Sequence, residues 1–367
     1  MQCFDIEVKK LLESIPYYQE NEFDHKLQPN SNVYLYGAGF LGQKFADMLL
    51  KHGCKLAGFI ETNVLKKVDP YHNLPIQAPD NYHGSTIVIS SFKYYTDMQK
   101  KLIELGNDEK SIISPLAIFE KFVIPSFQSA YDAFDDDLSK LTVLDKIRFL
   151  IFNAPMRPVS AYFSCELFHS FAENEVFIDG GAYDGETSKE FSRIVNGKYK
   201  KIYCYEPTVS NYELAVQNLK EMDHVEIVNI GLYSKSTILR FKDFGSDQWN
   251  AVEDFFMGHE WNGPAMDYAI VEVPVVSLDD FFKDIPVEDW PTIIKLDIEG
   301  SEREALLGMR NVICTKHPKL IICAYHKIED FYELANTIKE ICPGYTLKLR
   351  HYTDTVLESI IFGGYSE

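Results

Sequence analysis

The 367 residues carry 55 acids against 36 bases, a formal charge of −19, with 46% apolar and 25% charged residues. This is globular composition with enough apolar chain for two or three domain cores, and the negative charge excludes non-specific binding to a nucleic-acid backbone. No apolar run is long enough to span a membrane.

The opening stretch MQCFDIEVKKLLESI is broken by Asp5, Glu7, Lys9, Lys10 and Glu13, which disqualifies it as a signal peptide. The seven cysteines (3, 54, 165, 204, 314, 323 and 342) show no C-x-x-C and no zinc spacing. They read as reduced thiols of a cytoplasmic protein.

Periodic structure begins with a short apolar strand at 33–36, followed by Gly37-Ala-Gly-Phe-Leu-Gly42 and a helical stretch at 43–52. Strands at 56–60 and 86–90 and a helix near 96–105 continue the alternation expected of a parallel sheet covered on both faces. Gly37, Gly39 and Gly42 open a helix after a strand, and Glu61 follows 19 residues after Gly42. Spacing and acid fit a nucleotide fingerprint, with phosphate on the helix N-terminus. The runs 34–42 and 58–63, with 74–76 and 87–105, resemble the N-terminal domains of bacterial sugar-nucleotide-modifying enzymes. That resemblance implies a Rossmann-like domain over 1–124 that binds a nucleotide or nucleotide-sugar. A degenerate domain kept for packing or homo-oligomer contacts fits the same residues.

Residues 125–172 read as a helical connector, poor in Gly. Leu141, Leu144, Ile147 and Ile151 give one buried helical face. Asp135, Asp136 and Asp137 suit that helix's N-terminus, where carboxylates meet free N–H groups.

A second strand–glycine loop–helix unit follows: strand 176–179, Gly180-Gly-Ala-Tyr-Asp-Gly185, then a helix through 195. Later strands are expected at 201–205, 226–230, 292–296 and 319–324, with a closing pair at 345–350 and 358–362. Asp179, Asp184 and Glu186 concentrate negative charge where a pyrophosphate needs the opposite. A cationic ligand carrying a sulfonium and an ammonium, such as S-adenosylmethionine, suits that field. Glu206 ends the next strand, where an acid accepts from both ribose hydroxyls. Asp297 and Glu299 share a face of a strand end, and Gly300 turns the chain into a helix at 302–312. Two such carboxylates could position a methyl acceptor or hold a metal; no metal is assigned. His326 ends the fifth strand at the same mouth, where it could take a proton from an acceptor hydroxyl.

The strings Glu175-Val-Phe-Ile-Asp-Gly-Gly-Ala182, Tyr205-Glu-Pro207, Val275-Val-Ser-Leu-Asp-Asp280 and Lys295-Leu-Asp-Ile-Glu-Gly-Ser-Glu302 resemble the FkbM family of S-adenosylmethionine-dependent methyltransferases. The likeness spans roughly 135–365, the methyltransferase domain proper covering 173–367. It implies a seven-stranded class I methyltransferase fold with the last strand reversed, so that the fold class is α/β with two doubly wound domains. It also implies O-methylation, often of sugars or polyketide hydroxyls. By position, Asp179, Gly181 and Gly185 would surround the methionine portion, Glu206 the ribose, and Asn229, Ile230 and Gly231 the adenine. Two departures stand out: Ala324-Tyr-His326 where many members have Glu-x-His, and Gly231-Leu-Tyr-Ser-Lys235 where an acid is usual.

The insert 244–268 carries Trp249, Phe255, Phe256, His259, Trp261 and Tyr268. It suits a cover over the mouth that stacks on a sugar ring, or a hydrophobic cluster capping the sheet edge. Three functions compete. The first is a methyltransferase acting on a hydroxyl of a sugar, glycan or related small molecule. The second is a nucleotide-sugar-binding or scaffold protein with a non-catalytic methyltransferase domain; Asp179, Glu206 and Asp297, which a decayed site would lose, argue against it. The third is a dinucleotide-dependent oxidoreductase, disfavoured because no Tyr-x-x-x-Lys pair follows the first loop.

Overall fold

The computed structural model describes residues 4–27, 31–64, 67–69, 72–159, 171–243, 251–252, 269–353 and 357–365. The aromatic residues named above within the insert lie outside the described residues. The chain divides into two compact units, the first mainly Met1–Gln128 with Ile147–Ala154, the second Ser129–Lys146, Pro155–Gly258 and Asn262–Glu367. Among the described residues no helix is long and apolar enough to cross a membrane.

The first unit runs α1 (Phe4–Glu13), α2 (Glu22–Lys26), β1 (Asn32–Tyr36), α3 (Phe40–Lys51), β2 (Lys55–Ile60), β3 (Ile76–Gln77), β4 (Thr86–Ile89), α4 (Tyr95–Glu104), β5 (Ile112–Ile113) and α5 (Pro115–Ile118). Its five strands are all parallel, in the order β3-β2-β1-β4-β5. Val33, Leu35, Phe59, Ile60 and Ile87–Ile89 are fully buried, the unbroken apolar runs of a sheet covered on both faces. After β1 the strand order reverses, which puts the first glycine loop at the switch point of the sheet.

A π-turn at Phe119–Val123 leads into α6 (Ile124–Ala133), and α7 (Asp137–Phe152) follows. The second unit contains β6 (Val176–Gly180), α8 (Glu186–Ile194), β7 (Lys201–Tyr205), α9 (Val209–Leu219), β8 (Val225–Val228), β9 (Gly231–Leu232), β10 (Thr237–Asp243), β11 (Ala251–Val252), β12 (Ala269–Val276), α10 (Leu278–Phe282), β13 (Ile293–Leu296), α11 (Glu302–Leu307), α12 (Arg310–Lys316), β14 (Lys319–Cys323), α13 (Asp330–Ile341), β15 (Tyr345–His351) and β16 (Ser359–Tyr365). Seven strands form one sheet in the order β15-β16-β14-β13-β6-β7-β8, with β16 antiparallel to both neighbours. This is the class I methyltransferase arrangement with its last strand reversed. A separate four-stranded sheet, β11-β10-β12-β9, accompanies it. The single helix expected over 302–312 is two helices, interrupted at Gly308 and Met309, and a Cβ at Gly308 would lie 2.1 Å from the Tyr233 carbonyl oxygen. The chain rests on Tyr233 there, and Asp279 N–H bonds the Gly308 carbonyl at 3.0 Å.

Asp135 and Asp136 do more than favour a helix end. Asp136 Oδ1 accepts from Ser139 N–H at 2.8 Å, and Arg350 of β15 donates to Asp136 Oδ2 at 2.6 Å. The Asp135 carboxylate and Ser139 hydroxyl accept from the N–H groups of Leu347 and Leu349. The outer edge of β15 is thereby closed to strand addition. Burial works against the charge of Asp136, yet Arg350 and Ser139 hold its carboxyl down at about 2. Such a depressed group adds stability above the ordinary range near pH 4, and that contribution is lost as pH falls through about 2. Asp136→Asn should lower stability at pH 7 by about 1–2 kcal/mol, as loss of a charged hydrogen bond does. It should also flatten the acid loss between about pH 4 and 2. A denaturant midpoint equal to that of the parent at pH 7 would show that the clamp stabilises nothing.

Candidate active site

β6, β7, β13 and β14 end on one cleft of about 210 Å³ in the second unit. Every residue of β6 is buried, and the loop that follows is packed with no slack. Gly181 has φ +72°, and a Cβ there would meet the Asp297 carbonyl oxygen at 1.8 Å. The N–H groups of Gly181 and Ala182 both donate to the Tyr205 carbonyl. Gly185, at φ +82°, leaves no room for a Cβ against Leu219.

Glu206 ends β7 facing the cleft and is 5% exposed. Its Oε2 accepts from Tyr183 N–H and its Oε1 from Thr208 N–H, both at 3.0 Å. Burial pushes this carboxyl up, against the pull of those two N–H groups. The Thr208 side chain bonds the same carboxylate, which leaves about one acceptor position for a further donor. Asn229 braces this corner, its amide donating to the Glu206 and Pro207 carbonyls at 2.9 and 3.1 Å. Gly231 lines the cleft; Asn229 and Ile230 do not.

Asp179 is not brought to the cleft wall. It is wholly buried, its carboxylate bonded to Lys295 Nζ at 3.0 Å and to the Ser188 hydroxyl at 2.7 Å. Lys295 in turn donates to the Gly181 carbonyl at 2.8 Å. Burial opposes the lysine's charge, but Asp179 and Asp297 hold its pKa above the ordinary lysine range. Asp179 thus acts on the loop at one remove.

Asp297 and Glu299 line the cleft, whereas His326, expected at the same mouth, lies buried behind them and does not line it. His326 Nε2 lies 3.4 Å from Asp297 Oδ1 and 3.5 Å from Glu299 Oε2, and Nδ1 lies 3.2 Å from Glu302 Oε1. Asp297 Oδ1 also accepts from the Tyr325 hydroxyl at 2.9 Å. Glu299 is held at φ +53°, a left-handed conformation that a residue with a side chain rarely adopts. Burial opposes the charge of His326, but Glu302 and Glu299 outweigh it and raise the ring to about 10. Burial, with Asp297 and Glu302 nearby, pushes Glu299 up to about 8. Asp297 goes the other way: burial resists, but Lys295 and His326 lower it.

Sequence reasoning missed Lys295, Glu302, Tyr325 and Glu358. The Asp297-x-Glu299-x-x-Glu302 spacing was a usable signal for Glu302. Nothing local marks Glu358, which precedes the reversed strand β16 and lines the cleft.

In the first unit, the loop glycines answer to the fold. Gly37 has φ +112° against the Ser90 side chain, and a Cβ at Gly42 would sit 1.9 Å from the Gly37 carbonyl oxygen. Gly39 is the N-cap of α3, with open space where a Cβ would be. Glu61 folds onto the loop, accepting from Ala38 N–H at 3.2 Å and Thr62 N–H at 2.8 Å.

Residues 179–348 match the family model of the methyltransferase FkbM domain. Among solved structures, the methyltransferase FkbM of Methylobacillus flagellatus KT is similar over 98% of both chains, with a TM-score of 0.54 and 20% identity. Fibrillarin of Aeropyrum pernix, solved with natively bound S-adenosyl-L-methionine, is more distant. It has a TM-score of 0.32 and 9% identity, over 53% of this chain and 70% of that one. No curated protein matches the sequence. The sheet order is that of the class I methyltransferase fold, and residues 179–348 are similar to the methyltransferase FkbM domain.

Proposed function

We propose that the protein transfers the methyl group of S-adenosylmethionine to a hydroxyl of a sugar, glycan or related small molecule. The observation that carries this reading is one cleft with two chemically distinct halves. A buried Glu206 and a tight glycine loop form one half, and a carboxylate–histidine cluster forms the other.

The donor half fits the proposed cofactor. Glu206 offers an acceptor position for a ribose hydroxyl, and the acidic surroundings favour a ligand with sulfonium and ammonium charges. When bound, the cofactor supplies an activated methyl group. The protein's task is then to place the acceptor oxygen about 3 Å from that carbon, which supplies much of the rate. Asp297, Glu299, Glu358 and the Tyr325 hydroxyl all line the other half. With the Tyr325 proton already given to Asp297, this half presents acceptors, which suit the hydroxyl donors of a neutral polyol and repel a phosphate. With the cofactor bound, Asp297 and Glu299 would orient the acceptor hydroxyl, and the Asp297–Glu299–His326 cluster would take up its proton.

Glu206→Ala should weaken S-adenosylhomocysteine binding at least roughly tenfold by calorimetry, since a buried charged hydrogen bond is worth about 1.5–3 kcal/mol. Unchanged affinity would remove the ribose assignment. The acceptor is tested by incubating the protein with isotope-labelled donor and a panel of free sugars, nucleotide-sugars and glycans. Label on an amine or a protein, and none on any carbohydrate, would reject the hydroxyl acceptor.

A further inference from the structure

Three carboxylates, of Asp297, Glu299 and Glu302, converge on the His326 ring, and the ring is 3% exposed. Nε2 of the ring, Oε2 of Glu299 and Oε2 of Glu302 are buried without a hydrogen-bond partner. Buried polar atoms are nearly always satisfied, so an orphaned set of mixed N and O donors facing one another points to a ligand that they share.

We propose that Asp297, Glu299 and His326 bind a divalent transition-metal cation, with Glu302 orienting the ring from behind. Ligand atoms about 2.1 Å from a metal ion stand about 3.0–3.4 Å apart in octahedral or tetrahedral sites. Oδ1 of Asp297 and Oε2 of Glu299 lie at 3.4 and 3.5 Å from Nε2, close to that spacing before any ion draws them in. The other ring nitrogen faces Glu302 Oε1 at 3.2 Å, and that oxygen is pinned by the N–H groups of Ile298 and Gly300. A carboxylate behind a ligating histidine fixes its tautomer and raises its basicity. Among the described residues, the set whose donor atoms all lie within 4.8 Å of one another is Asp297, Glu302 and His326; Glu299 joins it through its 3.5 Å approach to Nε2. An imidazole with two carboxylates suits Mn²⁺, Fe²⁺ or Zn²⁺ better than Ca²⁺ or Mg²⁺, which prefer oxygen alone.

Asp297 and Glu299 also line the cleft, so the ion would present its open positions to the acceptor. There it would hold neighbouring hydroxyl oxygens and ease loss of the proton. That role rests on the methyltransferase reading; the binding does not, and the experiment reads binding.

The whole protein, stripped with a chelator, is titrated with Mn²⁺ alone and followed by electron paramagnetic resonance. The expected result is one saturable ion per chain with ¹⁴N coupling from the imidazole. His326→Gln should abolish the coupling and weaken binding at least tenfold. Glu302→Gln should weaken it about 10–100-fold with the coupling retained. Asp297→Asn, close to isosteric, should weaken it as well, and the ¹⁴N signal of the parent protein requires no variant to fold. Absence of saturable binding, binding without nitrogen coupling, or coupling that survives His326→Gln would each overturn the proposal. S-adenosylhomocysteine calorimetry on the same stripped protein tests the methyltransferase reading separately.

Discussion

His326→Ala is expected to lower methyl-transfer turnover by about 10²–10⁴-fold, the range for a lost acid–base or positioning group, with S-adenosylhomocysteine affinity essentially unchanged. The ring is the hub of the acceptor half, touching Asp297, Glu299 and Glu302. The donor half is held by other contacts: the Gly181 and Ala182 N–H groups on Tyr205, and Glu206 on Tyr183 and Thr208. Removing the ring leaves buried carboxylates facing one another, and their repulsion should spread the cluster. Asp297→Asn should also lower turnover, because Asp297 accepts from Tyr325 as well as facing His326. Full activity of His326→Ala on the true acceptor would mean that the hydroxyl is placed elsewhere. A parallel fall in donor affinity would mean that the halves are not separable.

Gly181→Ala should be the most damaging single-methyl change in the protein. Two independent penalties meet there. A left-handed φ of +72° costs a residue with a side chain roughly 1–2 kcal/mol, and the new Cβ would lie 1.8 Å from the Asp297 carbonyl oxygen. That oxygen belongs to the backbone, so no side-chain rotation relieves the clash. Gly197 is the internal control, with φ +70° and open space where its Cβ would be. Gly197→Ala should show the conformational cost alone. Gly181→Ala should lose at least about 3 kcal/mol, near the upper range for point mutants, and donor binding with it. Equal denaturant midpoints for the two variants would show that the loop yields, and that its closeness to Asp297 is incidental.

Much of this was legible along the chain. Strands 33–36, 56–60, 176–179 and 201–205 were readable because both faces are buried and the apolar runs are unbroken, each closed by glycine or an acid. Asp297, Glu299 and His326 were readable as a group because parallel strands deliver their carboxyl ends to one side of a sheet. What was not legible depended on sheet order. Asp179 and Lys295 lie 116 residues apart yet are direct partners in register on β6 and β13. Without that pairing an acid before a glycine loop reads as a ligand-binding group, when it is the anchor of a lysine. Glu302 read as a helix residue, although its carboxylate turns back to the N–H groups of Ile298 and Gly300. The clamp of Asp136 on Arg350 was hidden too, since a run of aspartates ahead of a helix carries no sign of a distant edge strand.

The contact of Gly181 with the Asp297 carbonyl has a thermodynamic consequence. The backbone of the glycine loop and that of Asp297 meet there with no room for a side chain between them. A ligand that shifts this contact from one side changes the free energy of binding on the other, and linkage requires the change to be mutual. If occupancy of the acceptor half tightens the donor by some factor, the donor tightens the acceptor by that same factor. Titrating each in the presence and absence of the other closes a four-state cycle, and Lys295, which grips both the Gly181 carbonyl and Asp179, sets how stiffly the contact transmits the push.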